Sequence, residues 1–320
     1  MSKTAFIFPG QGSQFVGMAY DLFDNSPEAR DLLIRADNIL GFSLTDLMFG
    51  SGNRDTADVD KRRLRQTQIT QPALFVHSMA ALAAAGDRLG SPDMVAGHSL
   101  GEYSALAAAG ALTFEDGLRI VRLRGELMAG AGDERPGTMA AILGMDDADV
   151  EQLCKDASLE EADGTGEIVQ PANFNSPGQI VISGDLKAVA RAVELAPERG
   201  ARRALALPVS GAFHSPLMEF ATKGLSDGLA ALEISRPKCP VYLNVTAEPT
   251  QDPDEIRQRL IDQLTAPVRW AQSLRAMQEG GATRYVEIGA GKVLSGLVKR
   301  TLGREEKTAS ISTLADVERF

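Results

Sequence analysis

Cysteine is nearly missing: Cys154 and Cys239 are the only two in 320 residues. Two thiols build no disulfide framework, and these two lack metal-ligand spacing. Histidine occurs three times, so imidazole chemistry must come from His77, His98 or His214. No apolar run approaches the roughly 18 residues that span a bilayer. The opening MSKTAFIFPGQG has one lysine and a short apolar stretch cut off by Pro9-Gly10, too little for a signal peptide. Positive charge is short as well: 33 Lys+Arg against 43 Asp+Glu leave a net charge of −10. That balance excludes a protein built for the nucleic-acid backbone, which is bound through clustered Lys and Arg. The densest basic run, Lys61 to Arg65, reads as a solvated face, with docking of an anionic partner as the alternative. The 31 glycines and 15 prolines are near ordinary usage, which removes collagen-like and low-complexity chains. What is left is a cytoplasmic globular protein with length for about two domains.

Along the chain, TAFIF at 4–8 reads as a short buried strand stopped by Pro9-Gly10. Ser26-Pro27-Glu28 is a helix start, an N-cap hydroxyl followed by proline at the first helical position. An Ala- and Leu-rich helix is expected from about Pro72 to Arg88, a strand at 93–97, and a helix from Gly101 after a glycine-flanked turn. Thr113 and Asp116 have capping-box spacing ahead of a helix to Ala129. Such alternation builds an α/β fold, a mostly parallel sheet with helices on both faces. From Thr138 the rhythm changes to strand (138–144), helix (146–157), strand (167–174), strand (179–184), helix (185–198) and strand (201–209). That β-α-β-β-α-β order is the one of a ferredoxin-like unit. The expected organisation is a core of residues 1–135 and 208–320 interrupted by an insert at 136–207, with further strands at 240–245, 284–290 and 308–313.

Gly97-His98-Ser99-Leu100-Gly101 is G-x-S-x-G between the expected strand and helix. A serine at such a turn is lifted out of the sheet surface, and the amide after it sits at a helix N-terminus, where it can stabilise an oxyanion. The bland alternative is a structural turn serine. Of the histidines, His77 lies inside the Ala-rich helix and reads as structural. His98 adjoins Ser99, and strand-end neighbours point to opposite sides. His214, in the loop Ser210 to Pro216 among small residues, suits a general base. No triad acid is evident; Glu219, the one carboxylate near the loop, sits on a helix.

Arg124 stands where an aliphatic residue is expected. Its neighbours three and four positions away, Ile120, Val121, Leu127 and Met128, are all apolar. A guanidinium on that stripe faces inward, and its charge is costly to bury unpaired. It either bridges to an interior carboxylate or receives a substrate carboxylate beside Ser99. Two glycine motifs carry no nucleotide reading. Phe15 takes the third glycine's place after Gly10-Gln11-Gly12, and Val286 and Val293 replace P-loop positions around Gly289-Ala290-Gly291-Lys292. The first can still offer backbone N–H groups to an oxyanion.

These stretches together resemble the malonyl-CoA:acyl carrier protein transacylases, the loading enzymes of dissociated fatty-acid synthesis. The resemblance runs through FPGQGSQ (8–14), TQPAL (70–74), GHSLGEY (97–103), RLRGELM (122–128), NFNSPGQ (173–179), GAFHSPLM (211–218), QL..PV.W (263–270) and EIGAGKVL (287–294). It implies a hydrolase-like α/β core with a ferredoxin-like insert, and a ping-pong transfer of malonyl from malonyl-CoA to the phosphopantetheine thiol of acyl carrier protein. By motif, Ser99 is the implied nucleophile, His214 its base, and the Gln263 main-chain carbonyl the group that orients His214. Arg124 is the implied malonyl clamp, and the Gln11 and Leu100 amides the oxyanion hole. Phe213 before His214, with Leu100 after Ser99, implies malonyl over methylmalonyl. No metal or other cofactor, nucleic acid or membrane is implied, and the enzyme is expected to act as a monomer. The two net cationic pairs Arg202-Arg203 and Lys299-Arg300 join Lys61 to Arg65 as candidates for receiving the acidic carrier. Two other functions compete: an esterase or thioesterase using Ser99 and His214 with water, and a non-catalytic acyl- or carrier-binding scaffold.

Overall fold

The computed structural model describes residues 3–53, 56–159, 166–209 and 211–320, leaving out also the side chain of Asp133. Ser210, first residue of the His214 loop, lies outside the described residues. Ten strands are present among them: β1 (Lys3–Phe8), β2 (Met94–Gly97), β3 (Gly137–Leu143), β4 (Val169–Ser176), β5 (Gln179–Asp185), β6 (Arg203–Ala206), β7 (Val241–Tyr242), β8 (Pro249–Thr250), β9 (Ala282–Ile288) and β10 (Lys307–Ile311). Six form a sheet in the order β10-β9-β1-β2-β7-β8, parallel except for β7 with β8.

Alternation along the central strands explains why both faces are covered. Phe6 and Phe8 join Val95, Val286 and Ile288 in the core on one side, under the helices Thr67–Ala85 and Phe114–Ala129. Ala5 and Ile7 join Met94, Ala96 and Tyr285 on the other, under Trp270–Glu279 and Val293–Thr301. Strands buried on both faces are continuously apolar, as TAFIF is. The helix from Thr67, continued by the turn to Leu89, is long and apolar enough to cross a membrane. Here most of its side chains are buried in the core.

A second sheet, antiparallel throughout, has the order β4-β5-β3-β6. The helices Asp147–Ala157 and Leu186–Leu195 cover it around a core that includes Leu153, Phe174, Ile182 and Val189. Where the chain enters this sheet, Arg135 makes a two-pronged pair with Asp185, both contacts at 2.7 Å. Planar guanidinium matches carboxylate in that geometry, which fixes the junction.

Four expectations shift. The helix expected from Pro72 begins at Thr67, with Pro72 inside it. Proline removes an N–H, and the Gln68 carbonyl it would have met accepts from Arg122 Nη1 at 2.9 Å instead. The strand expected at 240–245 keeps only Val241–Tyr242, because the Asn244 backbone N–H leaves the ladder for Glu102 at 3.0 Å. The strand expected at 201–209 pairs over Arg203–Ala206 only, and its continuation borders the cleft described below. Thr113 caps its helix through the Asp116 N–H as expected, but the Asp116 carboxylate meets the Thr113 hydroxyl, not its backbone. The complete capping box lies at Thr313 and Asp316.

Candidate active site

Adjacent parallel strands β1 and β2 end at the same edge, and chain order reverses there, with β2 on one side of β1 and β9 on the other. Open α/β sheets hold their ligands in such crevices. The turn after β2 is very tight. A Cβ on Gly97 would lie 1.8 Å from the Gly101 carbonyl carbon, and one on Gly101 would lie 2.1 Å from the Phe8 oxygen, so neither position admits a side chain. Ser99 between them has φ 51°, a left-handed conformation that costs a non-glycine residue energy. Asn244 holds it there, accepting from the Ser99 N–H at 2.7 Å and donating to the Gly97 carbonyl at 2.7 Å.

Ser99 Oγ lies 2.8 Å from His214 Nε2, and His214 Nδ1 lies 2.8 Å from the Gln263 main-chain oxygen. A carbonyl can only accept, so Nδ1 carries the proton and Nε2 is free to take the one on Ser99. Burial first, then the charge of Arg124, push the imidazole down to about 3, which keeps it neutral. His214 is itself at φ 58°, and the Gln170 side chain donates to its carbonyl at 3.0 Å and to that of Thr265 at 3.1 Å. Glu219 is exposed and bonds Thr222, and among the described residues no carboxylate hydrogen-bonds the histidine.

Arg124 is 1% exposed. Nη1 donates to Gln71 Oε1 at 2.8 Å, and Nη2 to Gln263 Oε1 at 2.8 Å and to Ser99 Oγ at 3.2 Å. Tyr103 lies under it, 5.6 Å from ring centre to guanidinium. Among the described residues it forms no salt bridge, so the interior ion pair, one of the two sequence readings, is not made. Burial works against its charge, with Tyr103 and Glu102 opposing.

Ser99, His214 and Arg124 open into a cleft of about 180 Å³ together with Gln11, Leu100 and Phe213. Met139, Asn173 and Val181 of the second sheet close its other side. Gln263 stands behind, fully buried. The Gln11 and Leu100 amides have no protein acceptor among the described residues. All seven residues singled out in the sequence thus converge on one place.

The sequence profile of the acyl transferase domain family matches residues 5–319. The malonyl CoA-acyl carrier protein transacylase of Staphylococcus aureus (strain COL) is 44% identical over 318 residues, 99% of this chain and 98% of that protein. The solved structure of the transacylase of that name from Coxiella burnetii superposes with a TM-score of 0.90 at 38% identity, covering 99% of this chain and 96% of the other. The chain belongs to the malonyl CoA-acyl carrier protein transacylase family. A further structural relative, at TM-score 0.89 and 39% identity over 99% of this chain and 98% of its own, is a malonyl-transacylase in complex with a type II PKS acyl-carrier protein.

Within this transacylase fold the discounted features have structural duties. His77 is buried, with Nε2 2.9 Å from the Ser312 carbonyl. His98 turns to Asn175 Oδ1 at 2.8 Å, away from the Ser99 hydroxyl. The helix N-terminus after Gly289 is occupied by Glu287, whose oxygens accept from the Leu294 and Ser295 amides at 3.0 and 2.8 Å, where a phosphate would have to sit. No group of three or more metal-ligating side chains occurs among the described residues. Sequence reasoning missed Gln71, Glu102, Gln170 and Asn244. Glu102 had a legible signal, a carboxylate three residues after the serine on the helix that the serine starts.

Proposed function

We propose that this transacylase moves a malonyl group from malonyl-CoA to the phosphopantetheine thiol of acyl carrier protein through an ester on Ser99. The observation that carries this reading is Arg124: a buried guanidinium without a carboxylate partner among the described residues, 3.2 Å from Ser99 Oγ. A substrate carboxylate is the missing partner, and a two-pronged pair is the strong form of that contact. Ser99 Oγ attacks the thioester carbonyl while its proton passes to His214 Nε2. The Gln11 and Leu100 amides hold the oxyanion. The tetrahedral intermediate collapses, the C–S bond breaks, and His214 returns the proton to the CoA sulfur. The carrier thiol then gives its proton to His214, attacks the ester, and releases Ser99 with the proton restored. The Gln263 carbonyl does the orienting that an acid does in a triad. Phe213 crowds an α-methyl group, a discrimination of about 1–3 kcal/mol.

In this reading residues 1–135 and 208–320 are a hydrolase-like core and 136–207 a ferredoxin-like insert, supported by the order β4-β5-β3-β6 and by the insert's own hydrophobic cluster. The enzyme works in the cytoplasm as a monomer without cofactor, on acidic partners that need local positive charge. Arg62 and Arg65 border a recess that shares Gln11 and Val209 with the cleft, which favours Lys61 to Arg65 as the receiving patch.

The test is intact mass after mixing with malonyl-CoA and quenching in acid. One malonyl adduct, discharged by the thiol-bearing carrier, is the expected result, with discharge slowed in Arg62→Glu/Arg65→Glu. Release of free malonate without transfer would establish a thioesterase, and no adduct with no turnover a scaffold. Neither alternative has a specific observation behind it. The base should also act at acid pH. With His214 pushed down to about 3, single-turnover acylation at pH 5 stays near its pH 7 rate. An imidazole at the usual 6.5 would lose about 25-fold over that range. A loss of that size would contradict the neutral buried base.

A further inference from the structure

Glu102 is the buried carboxylate that the mechanism above leaves idle. It lies on the helix Gly101–Ala108, one turn from Ser99, and is 1% exposed. Its Oε2 accepts from the Asn244 backbone N–H at 3.0 Å and from Gln263 Nε2 at 3.0 Å, while Oε1 has no partner among the described residues. Gln263 stands between two charges: its Nε2 faces Glu102, and its Oε1 accepts from Arg124 Nη2 at 2.8 Å. The longer contacts of Nε2, to the Ser99 carbonyl at 3.2 Å and Asn244 Oδ1 at 3.3 Å, are to acceptors as well.

An amide has two ends of opposite hydrogen-bonding sense, and only one orientation suits this place. Turned over, Gln263 would aim NH₂ at a guanidinium that can only donate and its oxygen at Glu102 Oε2, which already accepts from the Asn244 N–H. Each mismatch buries an unsatisfied polar group. Of the three acceptors around Nε2, Glu102 is closest and is the one ionisable group. Burial pushes its carboxyl up to about 7, with the hydrogen bonds from Asn244 and Gln263 and the charge of Arg124 opposing. When ionised, it is also the negative charge that faces Arg124 through a single amide, where no direct ion pair exists among the described residues.

We infer that Glu102 is a positioning residue for the carboxylate clamp: it locks the Gln263 side-chain amide with its oxygen toward Arg124, so that the guanidinium is held ready beside Ser99. Glu102 touches neither substrate nor nucleophile in this role. The inference rests on Arg124 being the clamp for malonyl. It predicts that Glu102 matters to the acid end of the substrate more than to the Ser99–His214 pair, because the base is oriented by the Gln263 main chain.

The experiment compares two readouts in Glu102→Gln, which removes the charge and keeps the shape. Malonyl loading from malonyl-CoA, followed by quenched intact mass, is expected to fall at least about tenfold, as loss of a charged buried hydrogen bond does. Labelling of Ser99 by a neutral fluorophosphonate, which needs nucleophile and base but no clamp, is expected to hold near the parent rate. Gln263→Met keeps the main-chain carbonyl and removes the amide, and its malonyl loading should fall by a similar factor. In that background Glu102→Gln should cost no further malonyl loading. Equal loss of both readouts in Glu102→Gln, or a full additional loss in the double variant, would make Glu102 merely structural and overturn the inference. If Glu102→Gln does not fold, Gln263→Met decides alone, and unchanged malonyl loading there overturns it. Arg124→Ala is the control on the underlying reading: malonyl loading intact in that variant sinks the clamp itself, whereas loss there with none in Glu102→Gln sinks only the role of Glu102.

Discussion

Ser99→Ala is expected to take up no malonyl group at all, and to lose at least about 10⁴-fold in kcat/KM for transfer to the carrier. The expectation follows from geometry that leaves no substitute nucleophile among the described residues. Ser99 Oγ is the hydroxyl within reach of His214 Nε2 and of Arg124 Nη2, and neither cysteine lines the cleft. The fold should survive, because the turn is held by the Ser99 backbone and Asn244, not by the hydroxyl. His214→Ala should approach the same loss, and the double variant should be hardly worse than either alone, since nucleophile and base act as one unit. Quenched intact mass and carrier-transfer kinetics check this. An adduct persisting in Ser99→Ala would move the acyl group elsewhere in the chain and overturn the site.

Why the sequence carried so much of this site is visible in which residues were legible. Ser99 and His214 were readable because nucleophile turns and loop histidines have local pattern, and a chain with three histidines offers few rivals. Arg124 was readable from helix periodicity, which put a charge on an apolar stripe. The parallel sheet and the change of rhythm at Thr138 followed from element order alone. What was not legible depends on tertiary placement. Asn244 looked like strand, yet its backbone leaves the sheet to reach Glu102, and its side chain steadies a serine 145 positions away. Pro72 looked like a helix start because the compensating donor, Arg122, lies on another helix. Gln170 reads as an ordinary strand residue until the fold brings the carbonyls of His214 and Thr265 to its amide. Gln263 entered only through a resemblance, since a main-chain carbonyl beside a histidine leaves no trace in residue type.

Arg124 should separate function from stability more sharply than any other residue. Arg124→Ala is expected to lower kcat/KM for malonyl-CoA by about 10²–10³-fold, the scale on which a buried charge contact is lost. Loading from acetyl-CoA, whose acyl group has no carboxylate, should change little or rise, so that the ratio of the two substrates collapses. Stability should move the other way. The guanidinium is buried, held by two glutamines, Ser99 and a tyrosine ring, and its Nε has no acceptor among the described residues. Taking a cation out of water without a counter-ion is costly, and replacing it by an apolar side chain of similar length relieves that cost. Arg124→Met should therefore melt no lower than the parent while losing malonyl loading as Arg124→Ala does. Malonate should stabilise the parent and not the variant, because only the parent has a charge waiting for it. Thermal melts with and without malonate, beside loading rates from the two thioesters, test all of this. A lower melting temperature in Arg124→Met, with malonyl preference retained, would mean that the arginine serves the core and not the substrate.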